Sequence, residues 1–441
     1  MEVRSKLKTM STTSTSSVTM PEPLSMGAVL RIPVMRRLWY AQIVSNFGDF
    51  LALFAVIGFL TFNVRANPQQ ITGVQIAYQL PIAVLGILAG VFVDRWPLKP
   101  TMVASDLSRA GLCLLLLLAH NIWGFYVVLA AISVVSSFFS PAQGVAIRAA
   151  VPMHGLRSAN ALMQQVMFLA RIAGPAVAAF LVASFGPTSC YWADAASFVA
   201  SACLIASVTL SRPQEMIAQA VLAPADKASS TEEEKGVAKI WSDMKQGVSF
   251  IVHHAALLFV ILALASGMFV LGCFGPLIAV YVRDTLHGST KVFGIASAMI
   301  GIGILLGINA LNAFGKGIKN TVLVYSGLSG IAVGLVILTL LHFVWSTISG
   351  NFIIGFSVAG IIIPTQTMIQ QETPPPLMGR VGSTVMSTVF TAQILGLIAS
   401  GLLAQHIGVR QVFAICAVLL VVLIVVGKLF MEPKGETAAA K

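Results

Sequence analysis

Two charged residues lie where charge is costly. Asp49 sits about eleven residues into an apolar run that opens at Leu38, and Arg171 about thirteen residues into another that opens at Ser158. At 1.5 Å per residue the Asp49 carboxylate lies roughly 16 Å deep, close to the middle of a bilayer. An ionisable group at that depth is a functional residue by default. If the two meet, Arg171 holds Asp49 ionised, and a proton taken up by Asp49 releases the arginine to other partners. Proton binding is then tied to a change of state. A permanently paired structural bridge is the other reading of the same two residues. Asp194 lies five residues into an apolar run from Ser189. It is either a second coupling carboxylate or a headgroup-level residue, since its neighbours Tyr191 and Trp192 suit the membrane interface.

A site for a bulky amphiphile should be mostly apolar, with a few placed polar groups. Gln42, Asn46, Asp49 and Phe50 share one helical face by three-and-four spacing. Gln164, Gln165, Phe168, Phe274, Asn309, Asn312 and Gln393 lie at comparable depth in other runs. For any single member of this second group, interhelical packing competes with substrate contact. Gly174 and Pro175, inside the run that carries Arg171, combine a small residue with a helix kink and read as a hinge.

These residues need long apolar elements to position them, and the composition supplies them. Of 441 residues 57% are hydrophobic and only 10% charged, against about 25% charged in ordinary soluble domains. Windows of roughly 20 apolar residues fall at Leu38–Phe62, Thr72–Val93, Thr101–Ala119, Trp123–Ile147, Ser158–Ser184 and Ser189–Leu210. Six more fall at Ala255–Val282, Lys291–Ala313, Thr321–Leu341, Val344–Ile369, Gly379–Ala404 and Val409–Phe430. The expected protein is therefore all-α, with twelve transmembrane helices.

The net charge of +11 invites a nucleic-acid reading, and its placement answers it. With the amino terminus inside, 22 of the 27 Lys and Arg fall in cytoplasmic segments. That is the positive-inside asymmetry of a membrane protein, and no nucleic acid is needed to explain it. The five cysteines are scattered singly, in no metal or disulfide spacing. His253 and His254 are adjacent, point about 100° apart on a helix, and read as interfacial. No metal or cofactor is expected.

Residues 211–254 form the long polar interruption that follows the sixth run, with the acidic stretch Glu232–Glu234 and an amphipathic stretch near Ile240–Phe250. It divides the chain into a cytoplasmic tail (1–37), a six-helix bundle (38–210), this linker, a second six-helix bundle (255–430) and a second cytoplasmic tail (431–441). The halves repeat each other. Pro141, Gln143, Pro152 and Arg157 recur as Pro364, Gln366, Pro375 and Arg380, all at an offset of 223. Gly73, Ala77 and Gly86 recur as Gly294, Ala298 and Gly307 at an offset of 221. Two related bundles suit a transporter that alternates access to a central site.

Between the second and third runs lies a short charged hairpin with Gly90, Asp94, Arg95 and Lys99, followed past Pro100 by Asp106 and Arg109. Asp94 ends its own helix, at that helix's negative pole, and so needs a positive partner from elsewhere. The hairpin resembles the loop between helices 2 and 3 of the major facilitator superfamily, although Pro97 and Leu98 depart from the family pattern. The resemblance implies a conformational lock in which Asp94 docks on the start of helix 11, near Arg380, with Asp106 and Arg109 in the same group. A loop whose charges only set orientation is the competing reading.

The Ser45–Phe50 segment, Ser140–Pro152, Asn160–Leu162, Gly174 with Pro175, and Asp194 extend the resemblance over nearly the whole chain. It points to the drug:proton antiporter branch that includes macrolide efflux proteins and the enterobactin exporter. Ala178 and Ala179 stand where that branch has paired glycines.

What the resemblance implies is a secondary active transporter in the cell (inner) membrane, multi-pass, with both termini cytoplasmic and functional as a monomer. It would exchange protons for a drug-like or amphiphilic small molecule, in contact with membrane lipid. The alternative on the same fold is an exporter of a siderophore, a lysophospholipid or a divalent metal, as in ferroportin. An enzyme is not expected, because the chain has no intramembrane His-Glu-x-x-His, paired Asp or nucleophile motif.

Overall fold

The computed structural model of the protein describes residues 24–93, 95–209, 249–315, 317–374 and 377–431. Among these residues there are twelve helices of 18 residues or more. In the first half they are α1 (Pro33–Gly58), α2 (Pro68–Val93), α3 (Leu98–Leu115), α4 (Ile122–Ala150), α5 (Leu156–Phe185) and α6 (Thr188–Ala206). In the second they are α7 (Ala255–Asp284), α8 (Thr290–Phe314), α9 (Asn320–Leu340), α10 (Val344–Glu372), α11 (Met378–Ile407) and α12 (Val409–Val426). Ten helices, all but α2 and α5, are long and apolar enough over described residues to cross a membrane. Helices are the natural solution there, because each satisfies its own backbone polar groups in lipid. Most of the linker and most of the terminal segments named above lie outside the described residues.

Helix pairing repeats from half to half. In the first half α1 packs on α5 and α6, α2 on α4, and α3 on α4 and α6. Six helices later, α7 packs on α11 and α12, α8 on α10, and α9 on α10 and α12. Pro141 and Pro364, one repeat apart in sequence, are interior prolines of the corresponding helices α4 and α10. Small residues bring the second half together: a Cβ on Gly355 of α10 would collide with the Ile300 carbonyl of α8.

The described residues begin before the expected tail ends. A short helix, Met26–Leu30, precedes α1, and both Val29 and Met35 are buried. The Leu24 amide donates to the His154 carbonyl at 3.2 Å, and the Ser158 hydroxyl donates to the Leu24 carbonyl at 2.6 Å. These bonds seat Leu24 on the α4–α5 connection.

Taking the end of the bundle at which α1 begins as proximal, the halves meet firmly at the distal end. Phe54 on α1 stacks on Phe293 on α8 with centroids 4.4 Å apart. Gly294 on α8 abuts Ala179 on α5, and Gly401 on α11 abuts Thr72 on α2. Arg283 on α7 reaches the carbonyls of Thr61 and Ala66 at the end of α1.

Candidate proton and substrate site

The charged interior belongs to the first half and is built by α1, α3 and α6. On α3, Asp106, Arg109 and Cys113 fall at three-and-four spacing, so they share one face. Asp194, Ser197, Phe198 and Ser201 do the same on α6. The two faces interlock. Asp106 and Arg109 form an ion pair, and the Ser201 hydroxyl donates to the second Asp106 oxygen at 2.7 Å. The Arg109 guanidinium lies between the rings of Phe139, 4.5 Å from its centroid, and Phe198, 4.3 Å away. One turn further along, the Cys113 thiol donates to Asp194 at 2.7 Å and the Ser197 hydroxyl at 3.3 Å.

Gly48 allows α1 into this arrangement. A Cβ there would collide with the Asp194 carboxylate and the Ser197 hydroxyl. The next residue, Asp49, is half-buried, with Tyr78 of α2 close to its carboxylate. Asp106, Arg109 and Asp194 are all within its electrostatic range. Three carboxylates therefore share an interior with one described guanidinium, whose Nε has no hydrogen-bond partner although the residue is only 4% exposed. Such a cluster can take up protons, because buried carboxylates without equal counter-charge cannot all stay ionised at low cost.

Two expectations change here. Asp106 and Arg109, expected in the hairpin lock, are 0% and 4% exposed inside the bundle. A guanidinium one helical turn from a carboxylate neutralises it, and the two phenylalanine faces shield the pair, so α3 buries both. Asp194 is 1% exposed, which removes the headgroup reading, since its face of α6 turns toward Gly48 and Cys113.

Of the hairpin, Asp94 lies outside the described residues; Arg95 is exposed and Lys99 half-buried. Arg380 stands in the first turn of α11. Space around Gly90 is open, with nothing within 4 Å of where a Cβ would stand. The side chains of Arg171 and Phe168 also lie outside the described residues, although α5 carries both positions.

Among the substrate candidates, Gln42 hydrogen-bonds Gln143 of α4, and Asn46 is 8% exposed with an unpartnered Nδ2. Phe50 packs its Cβ against Gly174, where an added Cβ would come within 2.8 Å. α5 runs through Pro175 without a break. Gln164 and Gln165 are exposed, and Gln165 reaches the Met26 sulfur at 3.6 Å. Asn309 is exposed and bonds the Leu305 carbonyl of its own helix, while Asn312 is exposed and Gln393 half-buried. Phe274 is corrected to a core residue: it is 1% exposed and packs on Phe413 at 5.4 Å, because its face of α7 turns toward α12.

The sequence reading missed Tyr78, Cys113, Ser197 and Ser201. The register of Asp106, Arg109 and Cys113 was the signal available for Cys113, whereas nothing marks Tyr78 among other helix tyrosines. Among the described residues no three His, Cys, Asp or Glu side chains gather in a way that could hold a metal.

Two like halves of six membrane-length helices, with a charged cluster buried in the first, are the architecture of a transporter. The chain belongs to the Major Facilitator Superfamily, whose model matches residues 38–392. It is similar to the uncharacterized MFS-type transporter YfiS of Bacillus subtilis, at 26% identity over 395 residues, covering 87% of this chain and 89% of that one. Macrolide efflux protein A of Streptococcus pyogenes is 25% identical over 407 residues, covering 90% of this chain and 95% of that protein. Among solved structures, the nucleoside transporter NupG superposes with a TM-score of 0.67 over 89% of this chain and 97% of its own, at 13% identity. That likeness concerns the fold alone.

Proposed function

We propose that the protein exports a drug-like or amphiphilic small molecule in exchange for protons, by alternating access between its two halves. The observation that carries this reading is the imbalance of charge in the first half. Among the described side chains, Asp49, Asp106 and Asp194 share this interior with one guanidinium, that of Arg109. Such an excess of carboxyl groups gives protons a place to bind, and Asp49, half-buried, is the one best placed to exchange them. Asp194, bonded by Cys113 and Ser197, is the neighbouring carboxyl through which small shifts of α6 against α1 would reach Asp49.

The similarity to a macrolide efflux protein over 90% of the chain supports the export direction and the amphiphile. The excess of Lys and Arg in the proximal connections supports a proximal face in the cytoplasm, with both termini inside the cell. Asn46, with its unpartnered amide beside Gln42 and Phe50, supports a polar contact for substrate on α1. Gly90, Asp94, Arg95, Lys99 and Arg380 remain the proposed lock of the proximal face.

The test is a resistance and uptake panel in an efflux-deficient bacterial host, with erythromycin and ethidium as probes. Wild type should lower accumulation of at least one probe, and Asp49→Asn should lose that effect at equal membrane expression. Equal accumulation with and without wild-type protein for both probes would remove the drug-export reading.

A further inference from the structure

α1 does not end as an α-helix. Its last turn, Phe59–Asn63, is π-helical, and the Val64 amide closes it by donating to the Phe59 carbonyl at 3.1 Å. Arg65 then adopts φ +55°, an uncommon backbone for a residue with a side chain. This turns the chain back so that the Ala66 amide donates to the Leu60 carbonyl at 2.8 Å. In a continuing α-helix the Thr61 carbonyl would accept from residue 65. Here it faces α7 instead, beside the Ala66 carbonyl. π-turns recur at functional positions.

The group facing them comes from the other half. Arg283, in the last turn of α7, donates from Nη1 to the Thr61 carbonyl at 3.1 Å and to the Ala66 carbonyl at 2.6 Å. Its Nε and Nη2 are held by Asp284 at 2.6 and 2.9 Å. The guanidinium is thus aimed by one residue and spent on the negative end of a helix in the opposite half. Thr61 and Ala66 are 0% and 3% exposed, so the contact is shielded from water. Phe293 stacks on Phe54 and lies 6.3 Å from Phe62 alongside it, making the aromatic part of the same seam.

We infer that Arg283 is the positioning residue of the distal gate: it caps the π-turn of α1 and must release it for the distal side to open. This rests on the alternating-access reading above. It assigns the charge-assisted part of the distal seal to this contact across the halves, directed by Asp284.

Phe50 lies one turn before Phe54 on α1, just inside the seam, and makes a reporter position. In a Cys203→Ser background the remaining native cysteines are buried, so Phe50→Cys can be labelled with an impermeant maleimide in right-side-out and inside-out vesicles. Arg283→Ala should raise labelling from the distal side about tenfold, and Asp284→Asn about threefold, the scale expected for losing or loosening charge-assisted hydrogen bonds. Arg283→Lys should fall between wild type and Arg283→Ala.

Unchanged distal labelling in both Arg283→Ala and Asp284→Asn, with monodisperse protein, would overturn the assignment. If Arg283→Ala does not fold, Asp284→Asn decides alone, because Asp284 is half exposed. The two readings fail separately. Alternating export is tested without the reporter by the efflux panel above; its failure would remove that reading, whatever labelling the Arg283 variants show.

Discussion

Arg109 closes its ion pair onto Asp106 one helical turn away, between the faces of Phe139 and Phe198, where the family resemblance implies a place in the hairpin lock. Breaking one side of a buried pair leaves the other charge uncompensated, at a cost of about 3–5 kcal/mol. Asp106→Asn and Arg109→Gln should each lower thermal stability in detergent sharply. The double variant should be more stable than the sum of the single effects predicts. Strict additivity across this cycle would mean that the two side chains are not coupled.

Gly48 and Gly90 should respond in opposite ways to the same substitution. A Cβ on Gly48 meets the Asp194 carboxylate and the Ser197 hydroxyl, whereas one on Gly90 meets nothing. Overpacking at Gly48→Ala should cost about 1–3 kcal/mol. Gly90→Ala should leave the melting temperature unchanged or slightly raised, since alanine favours the helix. Fluorescence-detected size-exclusion thermal melts of the two variants check this directly.

Cys113 supplies a hydrogen bond to Asp194, and its role is separable from its bulk. Cys113→Ser keeps a donor at about the same place, while Cys113→Val keeps volume and removes the donor. The serine variant should retain the wild-type pH profile of efflux, and the valine variant should move its midpoint. An unmoved midpoint in the valine variant, with protein of normal stability, would take Asp194 out of the proton-binding cluster.

Gly174 lets Phe50 lie directly on α5. Gly174→Leu should push α1 from α5 and reduce efflux at least tenfold, whereas Gly174→Ala should be milder, because only the Cβ of Phe50 must give way. Initial efflux rates at matched expression distinguish the two.

Much of this architecture was legible in the sequence, and the reason is physical. Runs of about 20 apolar residues have few fates other than spanning a bilayer, and the recurrence of Pro141 as Pro364 marks the duplication that the helix pairing repeats. Asp49 was legible because charge in an apolar run is rare. Asp106 and Arg109 were misread because a charged pair near a helix start looks the same in sequence whether it faces water or neutralises itself indoors. Phe274 was misread for a related reason: depth in a helix says nothing about which neighbour the side chain faces. The Arg283 contact could not be found at all without coordinates, since a π-turn and a left-handed arginine leave no pattern in residue types.

The most direct measurement is dye transport in proteoliposomes across an imposed pH gradient, comparing wild type with Asp49→Asn. Wild type should move ethidium in the direction opposite to proton flow and stop when the gradient is collapsed. The variant should show no response to the gradient. Equal gradient-driven transport by both proteins would contradict the assignment of Asp49 as the residue through which protons drive export.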